Sequence, residues 1–461
     1  MFSKDTYQQR RAELKKKIGS GLLLFIGNDD YGLNYADNAF RFRQDSTFLY
    51  YFGLAFSGLS AIIDVDNDKE IIFGDELTID DIVWMGIQPT LREKGERVGV
   101  KTILSKEEIK KYLHEGTVKG QKIHYLPPYR TEHQLKLKVW LDLPFDHQHA
   151  SVDFIKAVVD QRKNKTTEEI QEIEKACNVT ADMHMTAMRV LTPGMYEYEV
   201  VAALEQVAKK SNYELSFPTI GTINGQTLHN HYHGNKVKEG QLFLLDAGAE
   251  TEMGYAGDMS STVPVSGTFT SRQREVYEIQ NQMHFASVDA LRPGIRFEEV
   301  YDLSAEVMVE GLKGLGLMKG DAKAAVKEGA HAVFYPHGLG HMMGLDVHDM
   351  ENLGEVWVGY DGEPKSTQFG RKSLRLARSL EEGFVLTIEP GVYFIPELID
   401  LWKSKGLFKD FINYDKVETY KDFGGIRNEE DYLINSDGSR RLGKKIPITI
   451  EEVEAISSLE K

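Results

Sequence analysis

Three scarcities narrow the field before any motif is read. The chain of 461 residues holds one cysteine, Cys177. An internal disulfide is excluded, and a reducing compartment fits. Cys177 falls within an amphipathic helix pattern, which favours a packing thiol over a nucleophile. Long apolar runs are also missing. No stretch approaches the length that spans a bilayer, and the first apolar run, Leu22 to Ile26, is too short for the hydrophobic region of a secretory signal. Positive charge is in deficit, with 55 Lys and Arg against 71 Asp and Glu, a formal net charge of -16. The acidic residues are dispersed along the chain, which argues for solubility and against nucleic acid or an anionic membrane as partner. The expected location is the cytoplasm.

What is present suits a protein with a sizeable core: 41% hydrophobic and 27% charged residues, and a length that predicts two or three domains. Residues 1–155 read as a first, α/β domain. Leu22 to Ile26, Gly58 to Val65 and Glu70 to Phe73 read as strands, the last two joined by a polar turn, and Ser105 to Leu113 reads as helix. Trp84, Tyr50 and Tyr51 are expected to be packing residues. Residues 156–461 form the second domain. Thr166 with Glu169 makes a capping box, and the helix it starts runs to Pro193-Gly194.

This second domain repeats itself. Met183-His184 returns as Met283-His284, and Leu191-Thr192-Pro193-Gly194 returns as Leu291-Arg292-Pro293-Gly294, both one hundred residues on. Each half gives a helix, a Pro-Gly stop, a second helix, and then an apolar strand that ends in a carboxylate. The two strands, Glu239-Gly240 through Asp246-Ala247-Gly248 and Glu382-Gly383 through Glu389-Pro390-Gly391, match in their spacing. A carboxylate at the inner end of a buried strand is costly unless a cation meets it. Two halves can build one site at their seam. His184 and His284 themselves read as helix-packing residues.

Other chemistry-bearing residues gather around these strands. Asp258 opens a return strand after Asp246. Gly424 to Ile434 reads as the matching strand of the second half, with Arg427, Glu429 and Asp431 on one face and Asn428, Glu430 and Tyr432 on the other. His337, His341 and His348 lie between the halves, and His229, His231 and His233 precede the first acid-ended strand. Two aspartates, two glutamates and one histidine form an oxygen-rich donor set that suits Mn²⁺, Mg²⁺ or Co²⁺. Carboxylates can bridge two ions, and such a pair activates water at neutral pH. The remaining histidines would serve the developing charges of a hydrolytic intermediate.

The motifs Asp246-Ala247-Gly248, Tyr255-Ala256-Gly257-Asp258, His337-Gly338-Leu339-Gly340-His341, Leu345-Asp346-Val347-His348-Asp349, Thr387-Ile388-Glu389-Pro390-Gly391 and Gly425-Ile426-Arg427-Asn428-Glu429 resemble the proline-directed metallopeptidases of the pita-bread fold, Xaa-Pro aminopeptidase (aminopeptidase P) and Xaa-Pro dipeptidase (prolidase). Arg43 to Phe48 with Tyr51-Phe52-Gly53 resembles that family's N-terminal domain. The resemblance implies an N-terminal α/β domain followed by a pseudo-twofold pita-bread catalytic domain. It implies two divalent ions, Mn²⁺ first, held by Asp246, Asp258, His341, Glu389 and Glu429. Glu389 would also act in catalysis with His348 and His231. His337, Arg427 and Arg375 would meet the substrate, Arg375 as a partner for a dipeptide's terminal carboxylate. Counting back from Asp246 without gaps selects His229 in place of His231; the pattern His-Tyr-x-x-Asn favours His231. The implied substrate is a peptide or dipeptide with proline second, and the implied assembly is a homodimer or higher homo-oligomer.

Two departures from the family pattern stand out. Asp246 and Asp258 are spaced one residue wider than expected, which predicts a longer turn at Thr251-Glu252-Met253, and Asn428 stands where an apolar residue is usual. Three other readings compete: a metal-free creatinase-like hydrolase, a methionine aminopeptidase, and a non-catalytic binding module on the same fold. The retained ligand set argues against the first and third, and the separate N-terminal domain against the second. Aminopeptidase P is placed ahead of prolidase.

Overall fold

Two long helices of the second domain begin with the same local device. Thr166 caps Thr167–Val190 in a box with Glu169, and Thr270 caps Ser271–Ala290 in a box with Gln273. In each box the threonine oxygen and the N3 side chain satisfy amides that the first turn leaves open. Each helix stops ahead of a Pro-Gly pair. Gly194 and Gly294 sit at φ 96° and 88°, a left-handed conformation that a residue with a Cβ adopts at a cost. Second helices follow at Glu197–Lys210 and Phe297–Gly314. The hundred-residue repeat is therefore a repeat of structure.

The computed structural model describes residues 1–143 and 150–457. They divide into two units: Met1–Arg162 with Met350–Trp357, and Lys163–Asp349 with Val358 onward. The first unit carries a five-stranded mixed sheet of β1 (Leu22–Ile26), β2 (Ser60–Asp64), β3 (Lys69–Phe73), β4 (Thr102–Leu104) and β5 (Ile123–His124), in the order β4-β3-β2-β1-β5. Leu22, Leu24, Ile62, Ile71 and Phe73 pack with Ile109 and Leu113 into its core. Two expectations shift here. The helix expected at Ser105 to Leu113 occupies Glu108–Val118, because the Ser105 amide is taken by the Glu108 carboxylate in a turn ahead of it. Tyr50 and Tyr51 are buried, but Trp84 stands 86% exposed. Its helix, Ile79–Met85, buries no side chain at all; it is held by a Thr78–Asp81 capping box and by the Gly86 amide on the Ile82 carbonyl.

The second unit is built on short sheets wrapped by the four long helices. Its strands are β6 (Glu214–Leu215), β7 (Ile220–Thr222), β8 (Leu242–Ala247), β9 (Ala249–Glu250), β10 (Met259–Pro264), β11 (Val385–Ile388), β12 (Gly391–Phe394), β13 (Gly424–Arg427), β14 (Glu430–Ile434) and β15 (Ser439–Arg441). They assemble as β10-β8-β7, β11-β14-β15, β12-β13 and β6-β9. The stretch expected as one strand from Gly424 to Ile434 is two strands in different sheets, broken at Asn428-Glu429. The reason lies across the seam: Glu429 forms a bridge with Ser260 of β10, and its amide donates to the Ser260 carbonyl at 3.0 Å. The backbones of Ser260 and Glu429 thus join the two halves. The alternation of faces survives the break, as the side-chain partners below show. Asn428 is buried and satisfied, its Oδ1 accepting from the Thr262 amide at 3.0 Å and its Nδ2 donating to Gln280. No helix among the described residues is long and apolar enough to cross a membrane.

Candidate metal centre

Three backbone contacts position the acidic side chains. In the β8–β10 ladder Asp246 lies opposite Ser260, whose bridge to Glu429 brings the second half alongside. Asp258 sits one residue ahead of β10, and its amide donates to Asp431 Oδ2 at 3.1 Å. Glu389 follows β11, and its amide donates to the Leu339 carbonyl at 2.8 Å, so the glycine-spaced segment carrying His337 and His341 runs beside that strand. Gly340 is required for this approach: a Cβ there would lie 2.0 Å from the Thr387 carbonyl oxygen.

The side chains converge. Ligand atoms of Asp258, His341 and Glu429 lie within 4.8 Å of one another. His341 Nε2 is 3.3 Å from Asp258 Oδ2 and 3.7 Å from Glu389 Oε1. His341 Nδ1 is 3.1 Å from the Met342 carbonyl, which leaves Nε2 as the ring atom turned to the carboxylates. Asp246 Oδ1 and Asp258 Oδ1 are buried, with no hydrogen-bond partner among the described residues. Orphaned buried acceptors are rare and costly. Burial, and then the charge of Asp246, push the Asp258 carboxyl well up. Burial, then Asp258 and Glu389, do the same to Glu429. Burial with the charges of Asp258 and Asp246 raises Glu389 to about 7, against the opposing pull of His341 and Arg427. Each feature is what a site for divalent cations looks like without its positive charge, and the oxygen-rich donor set fits hard or borderline ions.

A family model described as metallopeptidase family M24 matches residues 171–436, more than half of the chain. The chain belongs to metallopeptidase family M24. A second model, the aminopeptidase P N-terminal domain, matches residues 7–124. Among curated relatives, the Xaa-Pro aminopeptidase of Escherichia coli K12 is 30% identical over 99% of this chain and 98% of its own. The human Xaa-Pro dipeptidase is 29% identical over 97% of this chain and 92% of its own. Among solved structures, zinc-substituted E. coli aminopeptidase P in complex with product superposes with a TM-score of 0.82, at 28% identity, over 100% of this chain and 99% of that one.

In this M24 member Arg427, His337 and His348 lie beside these acidic and histidine side chains. Arg427 is buried and spends its guanidinium three ways: Nη2 to Asp246 Oδ2 at 2.6 Å, Nε to Ser260 Oγ at 2.9 Å and Nη1 to the Tyr393 hydroxyl at 3.0 Å. Ser260 Oγ passes its own hydrogen to Glu429 Oε2 at 2.7 Å. His337 Nε2 lies 2.9 Å from the same Tyr393 hydroxyl, and its Nδ1 is 3.9 Å from Glu389 Oε2. His348 stacks on His341 with ring centroids 3.9 Å apart and planes at 20°. Ser260 and Tyr393 were not singled out in the sequence. Their only signal is position, one facing Asp246 across a ladder and one two residues beyond Pro390-Gly391.

The histidines upstream of Asp246 separate. The His229 pKa is lowered by burial and then by the charge of Arg427, with Asp246, His231 and Arg375 also acting on it, and His229 in turn acts on His337. His231 is exposed. His233 is turned inward, its Nε2 at 3.1 Å from the Thr219 carbonyl. His184 and His284 are buried, one between Ser261 and the Ala247 carbonyl and the other against Tyr432 and Glu430.

The raised carboxyls predict how metal and pH act together. Their folded-state pKa values exceed the unfolded ones, so the folded protein binds more protons between the two, and metal-free stability falls as pH rises through that window. For Glu389 the window runs from 4.5 to about 7. Buried histidines such as His337, which burial and Arg427 push down to about 3, act in the opposite sense. Comparing metal-bound with metal-free protein at each pH removes that contribution. The gain in Tm on adding Mn²⁺ is expected to grow between about pH 5 and about pH 7.5 by scanning calorimetry. A gain that shrinks over that range would argue against a cation at these carboxylates.

Proposed function

We propose that this chain is an exopeptidase that hydrolyses the bond between an N-terminal residue and a following proline, an Xaa-Pro aminopeptidase. Asp246, Asp258, His341, Glu389 and Glu429 hold two divalent ions, Mn²⁺ by preference. The observation that carries this reading is the convergence of Asp258, His341 and Glu429 with Glu389 beside them, while Asp246 and Asp258 each keep an oxygen with no partner among the described residues. When bound, the ions supply an activated water and charge stabilisation.

The chain's own groups do the rest. Glu389 takes the proton of the attacking water and returns it to the departing proline nitrogen. His348 steadies the charge that develops on the carbonyl oxygen. His337, held by Tyr393, and Arg427 line the pocket. His229 is taken as the upstream substrate-facing histidine in preference to His231, supported by its coupling to Arg427 and Asp246. The two domains we propose are 1–155, an aminopeptidase P-like N-terminal domain, and 156–461, carrying the chemistry. The single cysteine supports a cytoplasmic setting. The assembly proposed is a homodimer or higher homo-oligomer, which light scattering measures directly.

A second reading, Xaa-Pro dipeptidase, is favoured by Arg375, whose charge acts on His229. A free carboxylate beside the scissile bond exists only in a dipeptide. Metal-stripped protein resupplied with Mn²⁺ is expected to cleave Ala-Pro-Ala at least as fast as Ala-Pro. Cleavage of Ala-Pro alone, lost by about 10–100-fold in Arg375→Gln as a charge-assisted contact is removed, would establish the dipeptidase instead. With neither substrate cut, the proline-directed reading falls and a non-catalytic binding role becomes the one to test.

A further inference from the structure

The two halves of the M24 unit let a residue be compared with its own counterpart. Glu197 and Phe297 stand one hundred residues apart, each opening the helix after a Pro-Gly pair. Each donates its amide to the strap of chain beside it, Glu197 to the Asn235 carbonyl and Phe297 to the Arg378 carbonyl, both at 3.0 Å. Gly194 and Gly294 repeat the match, donating to Val237 and Leu380 at 2.8 Å. Both side chains are fully buried. The second half shows that this position needs only an apolar side chain. The first half places a carboxylate there, and among the described residues no cationic side chain pairs with it.

A buried carboxylate without a counter-ion persists only when hydrogen bonds replace its water. Glu197 accepts four. Thr222 Oγ1 at 3.0 Å and the Ile223 amide at 2.8 Å bind Oε1, and the Asn235 amide at 3.1 Å and Asn235 Nδ2 at 2.9 Å bind Oε2. The donors come from the two ends of one segment, 222–235, and that segment carries His229. Thr222 Oγ1 also accepts from Asn230 Nδ2 at 3.0 Å, the side chain next to His229.

We propose that Glu197 is a positioning residue, a buried clasp that closes both ends of the 222–235 segment and so fixes the backbone that carries His229. The inference rests on His229 being the substrate-facing histidine. It also accounts for the asymmetry of the repeat: a carboxylate stands at this position only in the half whose strap presents a histidine. Both oxygens accept two hydrogen bonds, so an amide cannot replace the acid; in glutamine one oxygen becomes a donor facing two donors.

The test is a double-mutant cycle with a separate structural readout. Glu197→Gln is expected to lower kcat/KM on Ala-Pro-Ala by about 10–100-fold, the usual scale for a partner behind a reacting group. In a His229→Ala background the same substitution is expected to cost less than about twofold, because both changes remove one function. Mn²⁺ affinity by titration calorimetry stays within about threefold of wild type, which a general disruption of the unit would not allow. Hydrogen exchange at 222–235 rises in Glu197→Gln. Thr222→Val, isosteric and lacking one donor, gives the same pattern in weaker form and serves if the first variant does not fold. Equal losses in the two backgrounds, or unchanged protection of 222–235, would overturn the proposal. If the wild type cuts no Xaa-Pro peptide, the functional reading fails, and the exchange data alone decide whether Glu197 is the clasp.

Discussion

Asp258→Ala is expected to abolish Mn²⁺ binding and to cut kcat/KM on an Xaa-Pro peptide by at least about a thousandfold, while the fold persists. The side chain stands 3.3 Å from His341 Nε2 and belongs to one group of possible ligands with His341 and Glu429. Its backbone contact with Asp431 survives the substitution, since only the amide is used. Removing this carboxyl also relieves strain. Burial and the Asp246 charge already disfavour its ionised form, so metal-free Asp258→Ala should melt no lower than metal-free wild type near neutral pH. Two measurements check this: bound metal by mass spectrometry, and thermal unfolding of both stripped proteins. Full activity in the variant would remove Asp258 from the site, and a large drop in metal-free Tm would make it a structural residue.

Arg427→Ala is expected to act in the opposite direction on the stripped protein. Arg427 is the guanidinium that answers Asp246, and it also holds Ser260 and Tyr393. Deleting one partner of a buried ion pair leaves an uncompensated charge and costs about 3–5 kcal/mol. Metal-free Arg427→Ala should therefore unfold at clearly lower denaturant than wild type. Saturating Mn²⁺ should recover part of the loss, because the ion supplies the positive charge the arginine gave. Metal affinity should fall about 10–100-fold, since Asp246 and, through Ser260, Glu429 lose the bonds that orient them. Denaturant titrations with and without metal measure both effects. An Arg427→Ala protein as stable as wild type without metal would show that the guanidinium does not balance the carboxylates.

Much of this architecture could be read from the chain because local chemistry marks its joints. Capping boxes at Thr166 and Thr270, Pro-Gly stops at 193 and 293, and apolar runs ending at Asp246 and Glu389 all announce themselves within a few residues. The repeat was visible for the same reason. What escaped is set by partners far along the chain. The break at Asn428-Glu429 follows from a bridge to Ser260, and no pattern inside Gly424 to Ile434 encodes it. Tyr393 matters because Arg427 and His337 both reach it, which a sequence cannot express. His229 and His231 could not be ranked by periodicity, since the segment has no regular structure; both are exposed, and the charges of Arg427 and Asp246 act on His229. Trp84 was expected inside because it is large and apolar, yet its helix is stabilised at its ends and not by a buried face.

The bridge between Ser260 and Glu429 has a consequence for time as well as for geometry. It links positions 169 residues apart, and the donors on either side of it belong to different halves. On the ligand set proposed here, parting of the two sheets would separate an ion's donors and speed its release. Its residence time becomes a clock for that opening, and the exchange rate of metal into chelator should track the slowest amide hydrogens of β10 and β14 more closely than those of any surface helix.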